Sequence, residues 1–343
     1  MIGTGARAAI PPLSGMELPG VFVLRTVPDG DAIRQFIEDR AVKNATVLGG
    51  GYIGLEMAEA LVERGITVTV LELLPTVLST YDPGMSEIVA RELADKGVTV
   101  RTETRIEGFE GGAGDSVGYV VASGQRLPSE MIIVSAGVRP NTALAESGGL
   151  ELGDSGAIRV DARQITSAPS VLAAGDCSEA THMVTGRPTW IPLGTTANKQ
   201  GRIAGENAVG GSRKFAGVAG TNVTKIFGLE AAQTGLSTAA AEKAGFVVDS
   251  ARIRARSRSH AYPGGGPITV KIIFEKETGR LLGAQIIGAE GAAKRIDTVA
   301  TAIYGRMTVS DLAVIDMSYA PPFSPVWDPV LVAAGQAVKK LGR

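Results

Sequence analysis

The chain has 343 residues, with Lys+Arg 34 against Asp+Glu 35 and a formal net charge of −1, a balance that excludes an electrostatic case for nucleic acid or an anionic membrane as main partner. Hydrophobic residues make up 44% and glycine 45 positions, which fits an α/β protein with many tight turns and excludes a disordered chain. No apolar run reaches membrane-spanning length, the first residues lack the basic and apolar regions of a secretory signal, and one cysteine, Cys177, excludes an intrachain disulfide or dithiol pair. A cytoplasmic protein of two or three domains is expected.

Taken in order, Gly3-Thr-Gly-Ala6, then Pro11-Pro12 and Pro19-Gly20, read as the exit from a sheet. Asp29 to Arg40 carries Ile33, Phe36 and Ile37 at helical spacing. Ala45-Thr-Val-Leu-Gly-Gly-Gly-Tyr-Ile-Gly-Leu-Glu56 is a short apolar strand that breaks into glycines and continues as an amphipathic helix. Gly49, Gly51 and Gly54 stand in the G-x-G-x-x-G order, which permits a tight turn, close approach of a pyrophosphate, and close helix–strand packing. Met57, Ala58, Leu61 and Val62 keep helical spacing, Gly65 ends the helix, and Thr67 to Leu71 is a second strand. This is a dinucleotide-binding βαβ unit, and Gly49, Gly51, Tyr52, Ile53, Gly54 and Glu56 are its candidate cofactor residues.

Glu72 lies 18 residues beyond Gly54, where a carboxylate accepts hydrogen bonds from the adenosine ribose. It favours NADH over NADPH, since it repels a 2′-phosphate and Leu73-Leu74-Pro75 offers no arginine to receive one. Asp82 is placed to cap a helix through Leu93, followed by a strand from Val98 to Arg101. Arg105 to Phe109 and Val117 to Ala122 read as a hairpin across Gly111-Gly-Ala-Gly114. Met131 to Val134 is a buried strand whose Ser135-Ala-Gly137 end is expected near the nicotinamide. Short strands are expected at Ala157 to Val160 and Val171 to Asp176.

At Val171-Leu-Ala-Ala-Gly-Asp176 the chain resembles the pyridine nucleotide-disulfide oxidoreductases. The resemblance implies that Gly175 and Asp176 contact the ribityl and pyrophosphate region of FAD. It implies further that the helix starting in Pro192-Leu-Gly-Thr-Thr-Ala197, with Leu193, Gly194, Thr195 and Ala197, points its amides at the flavin. Thr4 and Gly5 match the family's Thr-Gly-Ala pattern, normally well inside the protein. The last third, with a hairpin at Ile268 to Phe274 and Leu281 to Ile287, resembles the family's dimerisation domain. Ser318-Tyr-Ala-Pro-Pro-Phe-Ser-Pro-Val-Trp-Asp-Pro329 is similar to the C-terminal loop of coenzyme A-disulfide reductases and their relatives, which reaches the partner's flavin and thiol site. Tyr319 matches the loop tyrosine, and Tyr262 in Ser259-His-Ala-Tyr-Pro-Gly264 a second active-site tyrosine.

The fold implied is α/β: a Rossmann-like NAD domain (26–140) inserted in a partial FAD-binding Rossmann-like domain (1–25 and 141–215), followed by an α+β dimerisation domain (216–343). The family's opening FAD motif and catalytic cysteine are not matched, so an N-terminally truncated form is expected, and Cys177 does not stand where a replacement cysteine would. The activity expected of the full-length form passes hydride from NADH to FAD and on to a coenzyme A disulfide, persulfide or related small thiol substrate. NADH oxidase, with oxygen as acceptor, is the near alternative, and a nucleotide-binding homodimer without thiol chemistry is the alternative of another class. His182 and His260 lack carboxylates at metal-ligand spacing, so no metal site is expected. Lys199, Arg202, Lys294 and Arg295 are candidates for coenzyme A phosphates or for solvated helix faces.

Overall fold

A computed structural model describes residues 1–112 and 114–342. Ala113, inside the glycine-rich hairpin linker, and Arg343 lie outside the described residues. The chain divides into two compact units, one of residues 8–138 with 224–229, the other of 1–7, 139–223 and 230–343. The sequence boundary at 25/26 falls inside the first unit, and that at 140/141 falls two residues from its edge.

The first unit is built on a five-stranded parallel sheet in the order Val21–Val23, Met131–Val134, Asn44–Leu48, Thr67–Leu71, Thr99–Arg101. Its central strands are apolar and β-branched because both faces are buried, as parallel sheets require. Leu48 sits beside Leu71 on one side and Val134 on the other, so the chain leaves the sheet for the glycine turn between two full strands. Helix Tyr52–Val62 buries Leu55, Ala58 and Leu61. Its buried Glu59 pairs with Lys225 and accepts the Phe227 N–H at 2.6 Å. Helix Pro83–Asp95 follows, and Asp82 occupies its N-cap position without closing the side-chain capping bond.

The expected hairpin is the core of a three-stranded antiparallel sheet, Ile106–Gly111, Val117–Ala122 and Gln125–Pro128. The third strand escapes a reading based on apolar alternation because Gln-Arg-Leu-Pro is mostly exposed. Its turn, Ser123-Gly124, has φ of 47° and 73°, and two positive φ values at adjacent residues are the mark of a tight hairpin connection.

The second unit carries an antiparallel sheet in which Leu281–Gly288 lies between Leu229–Gly235 and Pro267–Glu275, with Val248–Arg256 at the edge. Helices Ala292–Tyr304 and Pro329–Lys340 cover it, joining Ile296, Val299, Val330 and Ala334 to Val270, Ile272, Phe274 and Ile286 in one core. Two expected strands are not continuous ladders. Ile158 makes single bridges to Leu152 and Ser178, and Leu172 and Ala173 make single bridges to Ile165 and Ile2. Each segment is extended and hydrogen-bonded, but every partner is one residue long, so neither grows into a strand.

Candidate functional site

In the first unit, the glycines after Leu48 are explained by what a side chain would meet. Gly49 has φ of 99°, a conformation that favours glycine, and a Cβ there would overlap the Ser135 carbonyl oxygen. A Cβ at Gly54 would overlap the Gly49 carbonyl oxygen. Gly51 is different: its φ is −82° and nothing lies within 4 Å of the position its Cβ would take. It is exposed, opens helix Tyr52–Val62 as N-cap, and has no side-chain oxygen to cap it. This is a cradle a pyrophosphate fits.

Glu72, directly after the Thr67–Leu71 strand, accepts the Gly50 N–H at 2.6 Å on Oε2 and the Leu74 N–H at 2.8 Å on Oε1. The Tyr52 hydroxyl is 3.2 Å from Thr80 Oγ1, Ile53 is half-buried, and Glu56 is exposed and accepts from Thr224 Oγ1 at 2.7 Å. Gly137, with φ of 93° and open space around it, lies exposed beyond the end of Met131–Val134.

The second unit gathers the candidates for FAD. The Ile2 N–H donates to Leu172 O at 2.7 Å and the Ala174 N–H to Ile2 O at 3.1 Å, which sets the start of the chain beside the Gly175-Asp176 turn. Thr4 Oγ1 donates to Asn141 O at 2.6 Å, and the Asn141 N–H to Gly5 O at 2.9 Å. Gly5 has φ of 67° and Gly175 of 85°. Helix Gly194–Ala208 starts at Leu193, again a residue that cannot cap, with Gly194 and Thr195 exposed and Ala197 in van der Waals range of Gly175.

Gln200, which the sequence reading passed over, fastens this turn to that helix. Fully buried, it accepts the Gly175 N–H at 2.9 Å and donates to Glu179 O at 2.8 Å. A polar residue at helical spacing from Thr196, Ile203 and Ala204 is the signal that would have found it. Trp190 Nε1 donates to Asp176 O at 2.9 Å. Cys177, adjacent to Asp176, packs into an apolar cluster with Ala145, Ile158 and Ala173 and is fully buried.

The tyrosines stand on two loops of the same unit. Tyr262 lies between strands Val248–Arg256 and Pro267–Glu275 and lines a cavity of about 300 Å³ with Ser257, Arg258, Glu290, Arg295, Pro322 and Phe323, among others. Pro322 and Phe323 come from the proline-rich loop, and the Ser259 N–H donates to Pro321 O at 3.2 Å, so the structure brings the two loops together. Tyr319 stands outside that lining and is 48% exposed. Burial opposes ionisation of Glu290, yet hydrogen bonds from Ser257 Oγ and Arg258 Nη2, both at 2.6 Å, hold its carboxyl below the usual range. Arg295 points inward: its Nε donates to Asp328 Oδ2 at 2.8 Å, and its Nη2 to Ser257 O at 2.9 Å and Phe323 O at 3.2 Å. These donors are committed inside the protein, unlike those of Lys294, whose side chain is 88% exposed.

A strand–glycine turn–helix with a carboxylate after the next strand, and a dimerisation-type sheet carrying two tyrosine loops, define a class of nucleotide-dependent oxidoreductases. The chain belongs to the pyridine nucleotide-disulphide oxidoreductase family, whose model matches residues 1–201, with the family's dimerisation domain over residues 221–329. It is 40% identical over 335 residues to the NAD(P)H sulfur oxidoreductase (CoA-dependent) of Pyrococcus furiosus, covering 97% of this chain and 75% of that protein. It is 40% identical over 342 residues to an NADH oxidase of Methanocaldococcus jannaschii, covering 99% and 75%. The NAD-dependent persulfide reductase from A. fulgidus has the same fold, with a TM-score of 0.95 at 41% identity over 98% of this chain and 63% of that chain. The chain thus spans about three quarters of these curated relatives and less than two thirds of that solved structure.

Membership in this family implies FAD and NADH as cofactors. The residues present fit NADH, because the cradle at Gly51 is open and the Glu72 carboxylate lies beside the same turn. They fit one flank of FAD, because Ile2 and Ala197, near the uncapped start of helix Gly194–Ala208, lie beside the Gly175-Asp176 turn, and Gly5 and Gly194 have open space around them.

Proposed function

We propose that the chain serves an FAD-dependent NADH oxidoreductase whose acceptor is a coenzyme A disulfide, a persulfide or a related small thiol compound. The observation that carries this reading is the open, uncapped glycine turn with Glu72 beside it. Gly49 and Gly54 shape the turn, Gly51 admits the pyrophosphate, and the free lone pairs of Glu72 receive the ribose hydroxyls. Thr4, Gly5, Gly175 and Asp176 line the ribityl and pyrophosphate part of FAD, and the Leu193–Ala197 helix start stabilises negative charge on it. FAD held there would supply two-electron redox chemistry between NADH and the acceptor. Tyr262 and Tyr319 position the thiol substrate, Tyr319 from a loop that acts across a homodimer. In this reading residues 26–140 hold NADH, 1–25 and 141–215 contact FAD, and 216–343 form the dimer.

The acceptor is supported by the names of the relatives from Pyrococcus furiosus and A. fulgidus. The relative from Methanocaldococcus jannaschii favours a second reading, oxygen as acceptor. No helix among the described residues is long and apolar enough to cross a membrane.

Anaerobic titration with NADH is the test. Bleaching of flavin absorbance, reversed by coenzyme A disulfide or persulfide, supports the reading; reversal by air alone supports the oxidase. A colourless protein that binds NADH leaves only a nucleotide-binding dimer.

A further inference from the structure

Helix Ala292–Tyr304 begins at Gly291, whose φ is 75° and where a Cβ would overlap Arg295 Nη1. Glycine at this position lets the guanidinium fold back over the start of its own helix. From there the planar fork reaches two loops far apart in sequence. It donates to Ser257 O at the base of the Tyr262 loop, and to Phe323 O and Asp328 Oδ2 in the Tyr319 loop. Asp328 in turn accepts from Ser324 Oγ at 3.0 Å and caps helix Pro329–Lys340 through the Val330 N–H at 2.9 Å. The side chains of Arg295 and Asp328 are 10% and 7% exposed, so water does not substitute for these bonds.

We infer that Arg295 is a positioning residue that couples the Tyr262 loop to the Tyr319 loop, so that neither keeps its place when the guanidinium is lost. The coupling deepens the proposed role of the two tyrosines, on which its functional meaning rests, but it is a property of the chain and is read without turnover. A charge alone does not do this. Lysine would satisfy Asp328 yet lacks the fork that spans Asp328 and two carbonyls at once. Glu290 supplies the contrast, since it accepts from Ser257 and Arg258 and so braces only the first loop.

Amide hydrogen exchange of the full chain tests the coupling in wild type, Arg295→Lys, Arg295→Ala and Glu290→Gln. Arg295→Lys is expected to raise exchange by about tenfold, the cost of a lost hydrogen bond, in peptides covering 257–266 and 318–328 together. The sheet peptides 267–288 should keep their protection, and Glu290→Gln should loosen 257–266 alone. In Arg295→Ala, millimolar guanidinium entering from the adjoining cavity should restore both loops, and sodium chloride at equal ionic strength should not. Loosening of one loop only in Arg295→Lys, loosening of the whole sheet with the loops, or no rescue by guanidinium in a folded Arg295→Ala would each overturn the inference. If Arg295→Ala does not fold, the lysine variant decides alone. A wrong assignment of the substrate changes none of these readings.

Discussion

The carboxylate of Glu72 accepts the backbone N–H of Gly50 at 2.6 Å, so the acid that faces the expected ribose also braces the glycine turn. Replacing it with alanine should therefore weaken NADH binding by about 2 kcal/mol, some thirtyfold, the range of a lost hydrogen bond to a charged group. NADPH should lose less, because repulsion of its 2′-phosphate goes with the carboxylate. Titration of both nucleotides against Glu72→Ala checks this, and an equal loss for the two would remove the ribose role.

Gly51 and Gly54 separate ligand access from folding. Alanine at Gly54 must displace the Gly49 carbonyl oxygen, an overpacking that costs about 1–3 kcal/mol, and the thermal midpoint should fall. Alanine at Gly51 meets nothing and has an ordinary φ, so the midpoint should hold while NADH affinity drops. Loss of stability in Gly51→Ala would show that the space is needed by the fold and not by a ligand.

This part of the molecule was legible because strand period, turn glycines and helix period are all local. The anchor of the tyrosine loops was not. Arg295 lies 38 residues from Ser257 and 33 from Asp328, and a cation on a helix reads as solvated until the fold shows that Gly291 lets it turn inward. Segments 157–160 and 171–176 misled for the opposite reason: their apolar runs read as strands, and Ala157, Ile158, Ala173 and Ala174 are indeed buried, but their backbone partners are single residues. The family's tyrosine string was legible as a string, while the cavity that Tyr262 shares with Phe323 belongs to three dimensions.

Burial holds the His182 imidazole below its usual range, and its ring nitrogen Nδ1 accepts the Val184 N–H at 3.2 Å. The unfolded chain takes up a proton near pH 6.5, whereas the folded chain resists it to lower pH. Between those two values the unfolded state binds more protons, so this contribution to stability is complete above about pH 6.5 and declines as the pH falls toward the folded value. Denaturant midpoints measured from pH 7.5 to 5 should show the decline, and His182→Asn, which keeps an acceptor for Val184, should flatten it. An identical slope in the variant would clear His182 of the effect.

Cys177 is fully buried, with its sulfur 3.4 Å from Ala174 O. A thiol so enclosed is inert, and a disulfide reagent should react with it only once the protein is unfolded. Cys177→Ala should leave NADH binding unchanged and cost about 1 kcal/mol of stability, from loss of a small buried group. Rapid reaction of the native thiol would contradict its place in the core.

Helices that begin at Ser237, Thr308 and Asp328 close their first turns with their own side chains. Those that begin at Gly51 and Leu193 have no oxygen with which to do so. On the proposed function, a phosphate at the first and a flavin at the second would supply the missing cap, and part of the free energy of binding would be the free energy of finishing a helix. Nucleotide supply would then set how firmly those two helix starts are held, and a chain deprived of its ligands would be expected to open first there.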